Sequence, residues 1–128
     1  MKVLDSTFLI DAIRGKKEAN KILDTEKDLI TTQMNIYEVV RGLFLDNVSA
    51  SKFHDTIEVF ESVRVLQFDE DAMIKSAEIS AELIKEGKCL EDSDCIIAGI
   101  ALSKGISIII TKNKDHFSRI KGIKVETY

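Results

Sequence analysis

Short apolar runs rich in β-branched residues alternate along the chain with longer stretches in which apolar side chains recur every three or four positions. Lys2-Val3-Leu4 reads as a strand, followed by a helix through Phe8–Ile13 that stops at Gly15. A second helix fits Lys17–Leu23, and Leu29-Ile30-Thr31 reads as a strand. Thr32 is placed to cap a helix from Gln33 to about Leu45, and Ser49 or Ser51 the next one, to about Ser62. Arg64–Phe68 is a strand, and Asp69 caps a long helix to about Glu86, ended by Gly87. Asp92 or Ser93 caps a helix to about Ser103, ended by Gly105. Ser107–Thr111 is a strand, a turn of helix fits His116–Ile120, and a last strand fits Ile123–Glu126.

Strands that alternate with helices predict an α/β protein with a mostly parallel sheet of about five strands covered on both faces. In such sheets ligands bind beyond the carboxyl ends of the strands. That rule directs attention to Asp5, Thr31, Asp69 and the segment Thr111–Asn113. With no proline, no Ser/Gly linker and no repeat, residues 1–128 are expected to form one domain.

Composition narrows the function classes. No apolar run approaches the ~20 residues of a membrane span, and the start of the chain meets Asp5 after two apolar residues, unlike a signal peptide. A cytoplasmic protein is the expectation. Two cysteines are too few for a disulfide framework or a zinc cage, and His54 and His116 show no metal-ligand spacing. No glycine-rich phosphate loop or nucleophile elbow is present. The net charge of −4 argues against loose charge-driven binding of nucleic acid, but the charge is uneven. Glu61–Asp94 holds 10 acids and 4 bases, whereas Lys112–Lys124 holds five bases and one acid. A basic segment beside an acidic one suits a site that takes both a metal and a polyanion; a solvated lysine surface explains the basic segment equally well.

Three acids stand out. Asp5 directly follows the first strand, where it or Ser6 reads also as a helix cap. Asn35, Glu38 and Arg41 recur every third residue on one helix stripe, which faces either a cleft or solvent with a Glu38–Arg41 ion pair. Asp94 falls in the first turn of a helix, where the macrodipole favours a carboxylate whatever its function. Beyond the Ile108-Ile109-Ile110 run, Asn113 or Asp115 offers a further oxygen ligand, or else Asn113 is simply the tip of a turn. Together these side chains come from separate elements that can meet at one sheet edge. Like charges gathered there raise one another's pKa unless a cation neutralises them. Hard oxygen ligands select magnesium or manganese, which can bind and polarise a phosphodiester.

The segments Asp5-Ser-Thr-Phe-Leu-Ile-Asp11, Tyr37-Glu38-Val-Val-Arg-Gly42, Asp94-Cys-Ile-Ile-Ala-Gly99 and Thr111-Lys-Asn-Lys-Asp-His-Phe117 together resemble, in order and over nearly the whole chain, PIN-domain proteins, specifically the VapC-type toxins of toxin–antitoxin systems. The resemblance implies a three-layer α/β/α sandwich and magnesium-dependent RNA cleavage. Asp5 and Asp94 match the family's metal-binding aspartates and Glu38 its second active-site acid. Asn113 stands where many members carry Asp or Asn, which leaves Asp115 or a water to complete the site. Gly99 stands where the family often has Ala, an exchange expected to be harmless. The resemblance also implies a VapB-type antitoxin as partner and a homodimer, for which the large apolar residues Phe44, Leu45, Phe53, Ile57 and Phe60 give a sequence hint.

Two other readings compete. A phospho-acceptor signalling receiver has a similar size and plan, with Asp69 as acceptor; it would want an acidic pair after the first strand, where Asp5 stands alone. A catalytically silent PIN fold that only binds RNA or protein gains nothing from clustered like charge.

Overall fold

The computed structural model describes all residues from Met1 to Tyr128. Five parallel strands form one sheet in the order β3-β2-β1-β4-β5: β1 Lys2–Leu4, β2 Leu29–Thr32, β3 Arg64–Leu66, β4 Ile108–Ile110 and β5 Lys124–Glu126. The helices are α1 Ser6–Ile13, α2 Lys17–Thr25, α3 Gln33–Leu45, α4 Ala50–Glu61, α5 Glu70–Lys85, α6 Asp92–Ser103 and α7 Lys114–Phe117. From β1 the chain first winds outward through β2 and β3, then returns to the other side of β1 for β4 and β5. The direction of winding thus reverses at β1, the kind of position where an open α/β sheet leaves a crevice at its carboxyl edge.

The three layers follow from strand periodicity. Successive side chains of a strand point to opposite faces, and the central strands put an apolar residue on each. Val3, Ile30 and Ile109 enter one core with α5, α6 and Phe117 of α7. Leu4 and Ile110 enter the other with Phe8 and Leu9 of α1, Ala19 of α2, Val39 of α3 and Phe60 of α4. Both faces of β1 and β4 are therefore sealed, and the open route to these strands is their carboxyl edge.

The stop signals act as their chemistry requires. Gly87 takes φ +70° after α5, and the amide of Lys88 donates to the Leu83 carbonyl at 2.8 Å, closing a left-handed C-cap. Thr32, Ser49 and Asp69 each accept an amide from the first turn of the helix that follows, so Ser49 rather than Ser51 caps α4. Neither Asp92 nor Ser93 caps α6. The chain turns one residue earlier, at Glu91, whose carbonyl accepts from the amides of Asp94 and Cys95. The last short helix also begins earlier than its apolar pattern indicates, at Lys114 rather than His116. The Thr111 hydroxyl accepts the Asn113 amide at 2.9 Å and turns the chain directly out of β4.

Helix α6 is buried nearly all round, and small residues let it lie close to α5. At Gly99 an added Cβ would stand 1.9 Å from the Ser76 hydroxyl oxygen and 2.7 Å from the Ser76 backbone. Glycine at this position fits the close approach, because α5 backbone occupies the space a methyl group needs.

Candidate active site

Asp5 directly follows β1 and occupies the N-cap position of α1, yet its side chain makes no capping bond. The carboxylate turns into the sheet edge instead, with 2% of the residue exposed. Oδ2 accepts from Thr111 Oγ1 at 2.6 Å and from Thr7 Oγ1 at 3.3 Å, and Oδ1 accepts from Asn35 Nδ2 at 3.0 Å. These donors come from β4's edge, α1 and α3, so the orientation of Asp5 is set by three elements.

Asn35 is fully buried and links the site together. Its Nδ2 also donates to Ser6 Oγ at 3.1 Å, while its Oδ1 accepts from Thr32 Oγ1 at 2.7 Å. Ser6 Oγ in turn donates to Glu38 Oε1 at 2.8 Å. The stripe of α3 therefore faces the crevice through Asn35 and Glu38. Arg41 forms no ion pair with Glu38; its guanidinium lies over the Tyr37 ring, 5.4 Å from the centroid. Asp94, buried in the first turn of α6, meets His116 Nδ1 at 3.1 Å through Oδ2.

The electrostatics tie the three acids into one site. Burial pushes the Asp5 carboxyl above its ordinary value, against the hydrogen bonds from Thr111, Thr7 and Asn35 that favour its charged form. Glu38 is raised first by burial and then by the charges of Asp5 and Asp94. Asp94 is raised first by burial and then by Asp5, with His116 opposing. Three carboxylates that each resist ionisation are stabilised in their charged form by a cation. They do not close into a compact cluster of three or more His, Cys, Asp or Glu ligands. Magnesium characteristically keeps several waters and takes one or two protein carboxylates, so an open, all-oxygen arrangement of this kind fits it or manganese.

The remaining candidates separate. Asn113 is half-buried at the N-cap of α7 and joins the site through its amide bond to Thr111, with no side-chain cap. Asp115 is exposed, and its side chain bonds to none of the three acids; only its carbonyl is contacted, by Ser118 Oγ at 3.5 Å. The turn of α7 carries His116 toward Asp94 instead. Thr111 lies at the sheet edge where the topology rule directs attention, whereas His116, Ser6 and Thr7 are site residues that the sequence did not assign. Hydroxyls at the ends of β2 and β4 and a pair of hydroxyls directly after Asp5 were the available signal. Asp69, the acceptor in the receiver reading, caps α5 through the Ala72 amide and pairs with Lys104. It has no part in the acidic edge.

The PIN domain family model matches residues 2–123. The chain belongs to the PIN-domain family. Against named PIN-domain relatives it is 30% identical over 98% of its length to a tRNA(fMet)-specific endonuclease VapC of Salmonella typhimurium, covering 96% of that protein. It is likewise 30% identical over 98% of its length to Ribonuclease VapC1 of Methanocaldococcus jannaschii, covering 85% of it. Among solved structures, the DNA-bound VapBC of Salmonella typhimurium superimposes with a TM-score of 0.79 at 27% identity, over 98% of this chain and 96% of that one. A VapBC2 chain from Rickettsia felis, at 17% identity, shares the fold with a TM-score of 0.86 over 99% of this chain and 98% of that one. The receiver reading is thereby set aside.

Proposed function

We propose that this PIN domain is an endoribonuclease of the VapC type, the toxin of a toxin–antitoxin pair, with Asp5, Glu38 and Asp94 holding a magnesium or manganese ion at the carboxyl edge of the sheet. The observation that carries the reading is the convergence of these three acids, from the end of β1, α3 and α6, into one site where burial raises the pKa of each and the charge of Asp5 raises Glu38 and Asp94 further. Ribonuclease relatives matched along nearly the whole chain support the same chemistry.

The chain's own residues divide the work. Asp5 is immobilised by four side chains in sequence: Thr7, Asn35 and Thr111 hold it directly, and Ser6 braces Asn35. Such bracing keeps a ligand oxygen in place. His116 fixes Asp94 Oδ2. Glu38 has Oε1 tied to Ser6, leaving Oε2 as the oxygen that would face the ion and accept a hydrogen bond from the water that attacks the phosphorus. When bound, the ion supplies charge neutralisation at the phosphate and the leaving oxygen. In-line hydrolysis of this kind leaves a 5′-phosphate and a 3′-hydroxyl.

A VapB-type antitoxin as partner, RNA as substrate, action in the cytoplasm and a homodimer complete the reading. No helix is long and apolar enough to cross a membrane. The homodimer draws support from apolar side chains left exposed on α3, where Tyr37, Phe44 and Leu45 are 55%, 68% and 74% exposed. Light scattering across micromolar concentrations checks it; a monomer throughout contradicts it. The nuclease reading is tested by incubating total RNA with pure protein, with and without magnesium, and mapping the ends. Cleavage that needs magnesium and leaves 5′-phosphates supports it. RNA binding with no turnover would favour the silent fold instead.

A further inference from the structure

A second charged group lies beside the acidic site, one turn further along the same face of α1 as Thr7. Asp11, one turn beyond Thr7, is buried with 7% of the residue exposed. It accepts from Tyr128 Oη at 2.7 Å and from Lys112 Nζ at 3.0 Å through Oδ2, and meets Lys16 Nζ at 3.3 Å through Oδ1. Lys112 also sits over the Tyr128 ring, with Nζ 5.1 Å from the centroid, and its amide donates to Thr7 Oγ1 at 3.3 Å.

We infer that Lys112, with Lys16 behind it, is a preset binding point for an RNA phosphate flanking the one that is cut. Three features support this. Lys112 directly follows Thr111, whose hydroxyl holds Asp5, so this cation stands at the same sheet edge as the acids. Both its backbone and its ammonium are tied to α1, which removes much of the rotamer entropy a free lysine loses on binding. One carboxylate serves two lysines, so the group keeps a net positive charge while the Lys112 side chain is 46% exposed to a ligand. A polyanion entering a sheet edge that carries three acids gains from a fixed cation next to them. A lysine present only to satisfy Asp11 needs no second cation on the same carboxylate.

This inference rests on the ribonuclease reading, and the experiment separates the two. Steady-state cleavage of a labelled single-stranded RNA that carries a mapped cut site is followed from low to high salt. The proteins compared are the wild type, Lys112→Gln, Lys112→Arg, Lys16→Gln and, as a matched loss of an exposed charge on α5, Lys85→Gln; melting temperatures are recorded for each. Lys112→Gln raises KM about fourfold near physiological salt and makes the dependence of log kcat/KM on log salt shallower by about 0.7, the share of one phosphate contact on a single strand. kcat changes little, Lys112→Arg restores the slope, Lys16→Gln gives a smaller effect of the same sign, and Lys85→Gln gives none. If Lys112→Gln lowers only the melting temperature and keeps the wild-type salt slope, the lysine is structural and the inference falls while the nuclease stands. A folded wild type that cuts no RNA overturns both.

Discussion

Thr111 Oγ1 donates to Asp5 Oδ2 at 2.6 Å, joining the carboxyl ends of β4 and β1 across the centre of the sheet. This bond puts a hydroxyl where a plain parallel strand would carry an apolar residue. It also means that the first acid of the site is held by a residue more than a hundred positions away, so the site exists only in the folded domain.

Asp5→Asn and Asp94→Asn should both lower RNA cleavage by at least about a hundredfold, since on the proposed mechanism each removes an anionic ligand from an ion that would supply several kcal/mol of transition-state stabilisation. Their stabilities should differ. Asp5 accepts three hydrogen bonds, and an amide there sets its own NH2 against one of those donors, costing about 1–3 kcal/mol. Asp94 has one partner, so Asp94→Asn should melt at or above the wild-type temperature in EDTA. Thermal melts beside activity assays check both; an active Asp94→Asn would remove that residue from the site.

The same acids give a pH dependence of definite sign. Asp94 and Glu38 are raised above their ordinary values of 3.8 and 4.5, so the native state holds their protons more tightly than the unfolded chain does. Their contribution therefore favours folding at low pH and declines as pH rises through those values and beyond. In EDTA, melting temperature followed from about pH 4 to pH 7 should show a decline for the wild type relative to the double variant Glu38→Gln/Asp94→Asn. Parallel curves would show that the acids do not interact as described.

Gly99→Ala should destabilise the domain by about 1–3 kcal/mol or more, because the methyl group meets Ser76 backbone atoms as well as its hydroxyl. Urea denaturation measures the loss. Ser76→Ala should not restore stability, since the backbone contact at 2.7 Å stays; full rescue would show that only the hydroxyl mattered.

Much of this was legible in the residues themselves. Strand and helix alternate in type and order as the apolar pattern indicates, and Gly87 and the Thr32 and Asp69 caps lie where local chemistry places them. Asp5, Glu38 and Asp94 were visible as candidates, but each had a plain structural reading, and only the tertiary fold separates the two. Asp5 turns out not to cap its helix, and Arg41 not to pair with Glu38. Hydrogen-bond partners such as Thr111 and His116 are set by crossovers between distant segments, which leave no local periodic trace. The tight fit at Gly99 is hidden for the same reason: its neighbour, Ser76, lies on another helix.

Tyr128→Phe should weaken the protein in acid. The Tyr128 hydroxyl is the leading cause that holds the Asp11 carboxyl down at about 2, with Lys112 and Lys16 adding to it. An acid held below its unfolded value of 3.8 contributes stability that is complete above that pH and is lost as pH falls toward 2. The variant loses a hydrogen bond to a charged group, about 1.5–3 kcal/mol, at neutral pH, and its acid-unfolding midpoint moves to higher pH. Circular dichroism across an acid titration checks this; an unmoved midpoint would show that the lysines alone hold Asp11.

The most direct test of the acidic site is a thermal-shift titration with manganese and magnesium on the wild type and on Asp94→Asn. A ligand that binds only the native state adds about 2.7 kcal/mol when present at ~100 times its dissociation constant, and a weak site with few protein ligands adds less. The wild type should show a small rise in melting temperature at millimolar magnesium and a larger one with manganese, and Asp94→Asn should lose most of both. An equal rise in the two proteins would place the ion elsewhere and contradict the assignment of Asp5, Glu38 and Asp94.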